Sequence, residues 1–267
     1  MTDSPGSNEP DRLPGLLRRI VQTKEEEIAQ LPEAQDLSQA PPVRSFYQAL
    51  ERPPGVPIRV IAECKKASPS MGLMRPDYHP GEIARTYAEL GAAASSILTD
   101  RRFFQGDPGH LQEARDAGIP LLRKDFILSE KQLREARALG ADAALLIVRL
   151  LDKQALADLL AAVAGLGMDA LVEIHDEAEL DAALESEARI IGINHRNLDT
   201  LKMDLSLTEK LAPRIRREKP EARIVAESGV ESPEGRARVD AYADAVLIGT
   251  AFMKSSDIRA TWRAIFS

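Results

Sequence analysis

The sequence predicts an α/β protein, a closed (β/α)8 TIM barrel with extra N-terminal helices. Eight short apolar runs alternate with amphipathic stretches from Ile58 onward: IRVIAEC, ASSILT, PLLRKDF, AALLIV, DALVEI, RIIGIN, ARIVAES and AVLIGT. Most of these runs are continuous rather than alternating, so both strand faces require apolar cover, and strands that alternate with helices pair in parallel through crossovers. No break in composition divides the 267 residues, and α/β barrels of about 250 residues commonly form one domain. The competing architecture is a doubly wound open sheet. It usually has fewer strands and a Gly-rich first turn, and no G-x-G-x-x-G follows the first run here.

Taken in order, residues 1–10 read as a disordered tail and residues 11–267 as one domain, with the barrel proper at about 58–267. LPGLLRRIVQTKEEEIAQL and SFYQAL precede the barrel and read as helices placed to cap an end of it. Within VIAECKKASPSMGLM the first strand seats Glu63 and Lys65 near its end and then breaks into a Ser, Pro and Gly loop. Helix starts are marked by Ser129 three residues before Gln132, by Asp176 three before Glu179, and by Pro233 after Ser232. Gly91, Gly118 and Gly140 stand where helices should stop in the left-handed conformation. LGAAASSIL, LGADAALLI and YADAVLIG resemble one another, as a repeated β-α unit would.

Composition excludes several classes of function. The 35 basic and 42 acidic residues leave a net charge of −7, with no basic block for a nucleic-acid backbone. Cys64 is the single cysteine, which rules out an internal disulfide, fits a reducing cytoplasm and reads as a free buried thiol. The opening MTDSPGSNEPDR has no apolar signal core, and no apolar run approaches a membrane span. A soluble cytoplasmic protein is expected. His79, His110, His175 and His195 show no metal-ligand spacing, so no metal is assigned.

In such a barrel, chemistry gathers where the strands end. The polar residues at those ends are Glu63 and Lys65, Thr99 and Asp100, Lys124, Glu173, Asn194 and Arg196, Glu227 and Ser228, then Gly249 and Thr250. All are expected at one opening. Side chains alternate along a strand, so Glu63 shares a face with Lys65, and Asn194 with Arg196. Desolvation at the mouth is expected to lower the pKa of Lys124, as a general acid or Schiff-base nucleophile requires, and to raise that of Glu173 as a base. The competing readings are a rim lysine in water and structural ion pairs. AESGV and IGTAF place glycines beside hydroxyls after strands seven and eight, with Ser68 after strand one, which suits an anion such as phosphate. Glycines that merely make turns are the plainer alternative.

In these residues the chain resembles indole-3-glycerol-phosphate synthase. AECKKASPS, LTDRRFFQG, LRKDF, GADAALLIV, LVEIHDE, GINHRNL, AESGV and LIGTAFM carry the similarity in the family's order, from about Leu13 to the C-terminus. The resemblance implies a carbon-carbon lyase of tryptophan biosynthesis that closes, decarboxylates and dehydrates 1-(2-carboxyphenylamino)-1-deoxyribulose 5-phosphate. It implies Lys124 as general acid and Glu173 as base, with Glu63 and Lys65 assisting. Asn194 and Arg196 would orient the substrate, Arg196 on the anthranilate carboxylate, while Glu227 and Ser228 close the pocket. Ser68, Gly229, Gly249 and Thr250 fall on the phosphate cradle. Phe104 and Phe126 would pack on the aromatic ring, with ordinary packing as the alternative. No cofactor is implied, and the expected state is a monomer or weak homodimer binding a phosphorylated small molecule. His195 stands where the family more often has Asn or Ser, and Thr250 where Ser or Glu is frequent. Two rivals remain open: an aldolase with Lys124 as Schiff base, and a phosphate-ligand binding protein without turnover.

Overall fold

In the computed structural model, which describes residues 15–198, 200 and 202–266, the eight runs become eight parallel strands that close on themselves in chain order. They are Arg59–Cys64, Ala94–Leu98, Leu121–Lys124, Ala143–Ile147, Asp169–Ile174, Ile190–Asn194, Arg223–Glu227 and Ala245–Ile248. Closure is made by the first and last strands, Arg59 pairing with Ala245 and Ala62 with Ile248. The expected tail at residues 1–10 lies outside the described residues.

The strand period of two divides the core into two layers. Ile61, Leu122, Leu145, Leu171, Ile190, Val225 and Leu247 fill the barrel interior. Their neighbours Val60, Ala62, Leu121, Leu146, Val172, Ile191, Ile224 and Val246 face the surrounding helices. Both layers are buried, which is why the runs are continuous in sequence. Cys64 belongs to the outer layer, and burial pushes its thiol up to about 12, leaving it inert.

Helix boundaries follow local chemistry. Ser129 caps Glu130–Ala138, its hydroxyl accepting from Lys131 N while the Gln132 side chain accepts from Ser129 N. Asp176 accepts from Glu179 N at the start of Glu177–Glu185, and Ser232 from Gly235 N before the Pro233–Asp240 helix. Gly91, Gly118 and Gly140 take φ of 87°, 80° and 89°, as helix stops require.

The two N-terminal helices serve opposite ends of the barrel rather than one. Helix α2, Phe46–Ala49, lies at the N-terminal end, where Phe46 and Leu50 join the interior layer and Tyr47 N donates to the first residue of the fifth strand, Asp169. Helix α1, Gly15–Gln30, lies over the other end, where Leu16, Leu17 and Ile20 reach the mouth. Its anchor is Lys24. That ammonium is 1% exposed and sits 2.8 Å from Asp100, 2.9 Å from Asp125 and 2.8 Å from Glu27. A buried cation is tolerated only when it is paired this closely.

Removing one partner strands the others, so Lys24→Met should cost about 3–5 kcal/mol of stability, measurable by chemical denaturation. Burial raises the Asp125 pKa, but Arg123 and Lys24 outweigh it and hold the carboxyl at about 2. The stability this contributes is complete above the carboxyl's ordinary value of 3.8 and is lost as pH falls towards 2. Without Lys24 the acid-unfolding midpoint should therefore move to higher pH. An unchanged midpoint and stability would show that the contact does not anchor α1.

Candidate active site

Lys124 ends the third strand, one step beyond Leu122 on the interior face, and enters the mouth from there. Glu173 follows Leu171 on the fifth strand and Glu227 follows Val225 on the seventh in the same way. The three side chains meet. Lys124 Nζ lies 2.7 Å from Glu173 Oε2 and 3.2 Å from Glu227 Oε2. Space for Glu227 comes from Gly192, where a Cβ would fall 2.0 Å from Glu227 Oε1. The glycine in IIGIN is thus a packing requirement of the site.

Beside this cluster, Lys65 Nζ is 2.6 Å from Glu63 Oε1. A Cβ on Gly249 would stand 2.3 Å from that same oxygen, so the glycine of IGTAF leaves room for Glu63 in addition to any contact it makes with ligand. Asn194 Oδ1 accepts from the Ser228 hydroxyl at 2.8 Å and from Arg196 N at 3.0 Å. Ser228 itself holds a left-handed φ of 66°, and Gly229 follows at 77°. His195 supports this turn from beneath, with Nδ1 2.9 Å from Ser228 O and Nε2 2.7 Å from the Thr208 hydroxyl.

One pocket is lined by Lys124, Glu173, Glu63, Lys65, Asn194, Glu227, Ser228, Arg196, Phe104, Phe126, Ser68, Gly229, Gly249 and Thr250. Phe104 and Phe126 have ring centroids 6.1 Å apart, tilted by 42°, and form an apolar wall. Carboxylates, ammonium groups, a guanidinium and aromatic faces therefore surround one cavity, a mixture suited to a small anionic molecule with a flat ring. Among the described residues no group of three or more His, Cys, Asp or Glu is arranged to hold a metal ion.

Two expectations are corrected. Thr99 and Asp100 do not line this pocket. The Thr99 hydroxyl donates to Asp125 at 2.5 Å, while Asp100 caps the short Arg101–Phe104 helix and holds Lys24. The second correction concerns charge. Burial alone would lower the Lys124 pKa, as expected from the sequence, but Glu173, Glu227 and Glu63 outweigh it, and the ammonium is raised above its ordinary value. Burial likewise would raise Glu173, but Lys124 and His175 hold it well below the usual carboxylate range. Glu227 carries the raised pKa instead, pushed up to about 8 by burial and by the Glu173 charge despite Lys124. Around the one ammonium the two carboxyls are thus split, Glu173 shifted down and Glu227 shifted up.

Sequence reasoning did not single out Lys24 or Asp125. No local signal marks either residue, and only their burial against each other shows their part in the fold. Leu16, Leu17 and Ile20 roof the pocket from α1, the helix read from LPGLLRRIVQTKEEEIAQL as capping an end of the barrel. His175 lies two residues after Glu173, which was visible, yet its contact with that side chain required coordinates.

The family described as Indole-3-glycerol phosphate synthase matches residues 17–265. A protein of that name from Dehalococcoides mccartyi is 44% identical over 260 residues, covering 96% of each chain. Others from Laribacter hongkongensis and Pelodictyon phaeoclathratiforme are 44% and 45% identical, covering 94% and 92% of this chain and 99% and 98% of their own. Among solved structures, a mandelate oxidase superposes with a TM-score of 0.60 at 15% identity, covering 90% of this chain and 81% of the other, a likeness of fold alone. By full-length similarity to sequence relatives, the chain belongs to the indole-3-glycerol phosphate synthase family.

Proposed function

We propose that the protein converts 1-(2-carboxyphenylamino)-1-deoxyribulose 5-phosphate to indole-3-glycerol phosphate, carbon dioxide and water, as a carboxy-lyase of tryptophan biosynthesis. The observation that carries this reading is the ammonium of Lys124 held between Glu173 and Glu227 at the barrel mouth, in a chain of this family.

The ring carbon bearing the carboxylate bonds to the ketone carbon, and Lys124 gives its proton to the ketone oxygen as negative charge develops there. Carbon dioxide then leaves, returning its electron pair to the ring. In the dehydration the new hydroxyl departs as water with a proton from an acid, Lys65 being placed for this beside Glu63. Glu173, ionised and within reach of the same substrate, accepts the proton lost next to the nitrogen. Arg196 takes the anthranilate carboxylate and Phe104 and Phe126 flank the ring. Ser68, Gly229, Gly249 and Thr250 hold the phosphate. Asn194, Glu227 and Ser228 orient the substrate and close the pocket. This chemistry needs no cofactor.

A Schiff-base mechanism on Lys124 is disfavoured by its charge, because Glu173, Glu227 and Glu63 stabilise the ammonium that a nucleophilic amine must lose. A binding protein without turnover has no use for an acid and a base on one substrate. The protein is read as a cytoplasmic monomer or weak homodimer acting on a phosphorylated small molecule, without nucleic-acid or membrane partners. No helix among the described residues is long and apolar enough to cross a membrane.

Lys124→Ala should lower kcat by about 10²–10⁴-fold, the contribution of one general acid, while a substrate analogue still binds. Near-normal turnover in steady-state assays would remove Lys124 from its role. Borohydride with substrate should leave no adduct on Lys124, and an adduct found by mass spectrometry would favour the aldolase reading. Gly249→Val should raise KM by about 10- to 100-fold, the size of a lost hydrogen bond to a charged group. Because it also displaces Glu63, kcat should fall with it. An unchanged KM would take the phosphate away from the eighth strand.

A further inference from the structure

Glu173 is held on two sides. Its Oε2 faces Lys124, and its Oε1 lies 3.2 Å from Nε2 of His175, whose side chain is fully buried. The other ring nitrogen, Nδ1, lies 3.0 Å from Glu179 Oε2, and that oxygen also accepts from His175 N at 2.7 Å. Glu179 Oε1 in turn meets Arg149 Nε at 2.5 Å, and Arg149 reaches Asp176 at 2.7 Å. A line of alternating charge therefore runs from the pocket floor through Glu173, His175, Glu179 and Arg149 to the half-exposed Asp176 at the surface.

This arrangement selects the protonation state of His175. Each ring nitrogen faces a carboxylate oxygen, and a neutral imidazole would turn a lone pair towards one of them. Only the imidazolium presents hydrogen to both. The Nε2 contact is not a well-directed hydrogen bond, so its attraction to Glu173 is mainly that of charge. Glu173 thus sits between two cations, Lys124 from the third strand and His175 just past its own strand, with the Glu227 carboxyl from the seventh strand also on Lys124.

We propose that His175 is a positioning residue for Glu173: as an imidazolium tethered by Glu179 and Arg149, it fixes the facing of the Glu173 carboxylate and adds a second positive charge behind it. The proposal rests on Glu173 serving as the base. Electrostatics agree with the geometry. Burial works to lower the His175 pKa, but Glu173 and Glu179 outweigh it and raise the ring to about 9. The same ring is among the groups that keep Glu173 ionised.

Nitrogen-detected NMR of the imidazoles tests the charge without any turnover. His175 should stay doubly protonated through pH 8, and a ring that titrates near the ordinary value of 6.5 would overturn the proposal. Kinetics test the consequence. In His175→Gln, loss of the cation should move the acid limb of the kcat profile up by about one pH unit. Its kcat should fall by up to about 100-fold through misplacement of the base, with KM little changed. Glu179→Gln keeps the shape of the side chain and lies outside the pocket, and it should move the limb in the same direction by less. If both variants fold and neither moves the limb, His175 is structural only. Should His175→Gln not fold, an unmoved limb in Glu179→Gln overturns the proposal by itself. A wild-type protein that forms no indole product would refute the proposed reaction and leave the NMR result to decide the state of His175.

Discussion

The site depends on one buried ammonium. Lys124 reaches the mouth carrying a charge that burial disfavours, and the contacts at 2.7 Å to Glu173 and 3.2 Å to Glu227 are what keep it there. Those partners come from the fifth and seventh strands, so the triad exists only if the barrel closes with its strands in this register. Even a methyl group on the sixth strand at Gly192 would occupy the place of the Glu227 carboxylate. Stability and the proposed chemistry are thus coupled: the charges that must be paired for the chain to fold are the charges assigned to the proposed reaction.

The second buried lysine serves a different purpose. Lys24 ties α1 to Asp100 and Asp125, residues next to the second and third strand ends, and so brings Leu16, Leu17 and Ile20 over the pocket. Asp125 adjoins Lys124 in sequence but points away from it, towards Arg123, Thr99 and Lys24. Alternation along the chain sends one charge into the mouth and its neighbour into the scaffold beneath α1. These apolar side chains line the same pocket as the polar groups, and a less polar surrounding strengthens charge interactions.

Much of this was legible in the sequence, because strand alternation and strand-end position are local properties. Eight apolar runs, three helix starts and three glycine stops follow from neighbouring residues alone, and most of the residues singled out at strand ends line one pocket. What could not be read were properties that belong to pairs distant in the chain. Thr99 and Asp100 lie where pocket residues lie, yet Lys24, from the N-terminal helix, draws Asp100 to its own side. The sign of the Lys124 and Glu173 shifts depends on their separation, which only the folded chain sets. Desolvation without a partner points one way, and with a carboxylate at hydrogen-bond distance the other.

Turnover requires an acid and a base to converge on one carbon skeleton. The most direct test is to supply the carboxyphenylamino deoxyribulose phosphate to the wild-type protein and follow indole fluorescence together with released carbon dioxide. The two signals should rise together in a one-to-one ratio. Tight binding of the compound with neither signal would mean that the rim gathers these charges only to hold an anion.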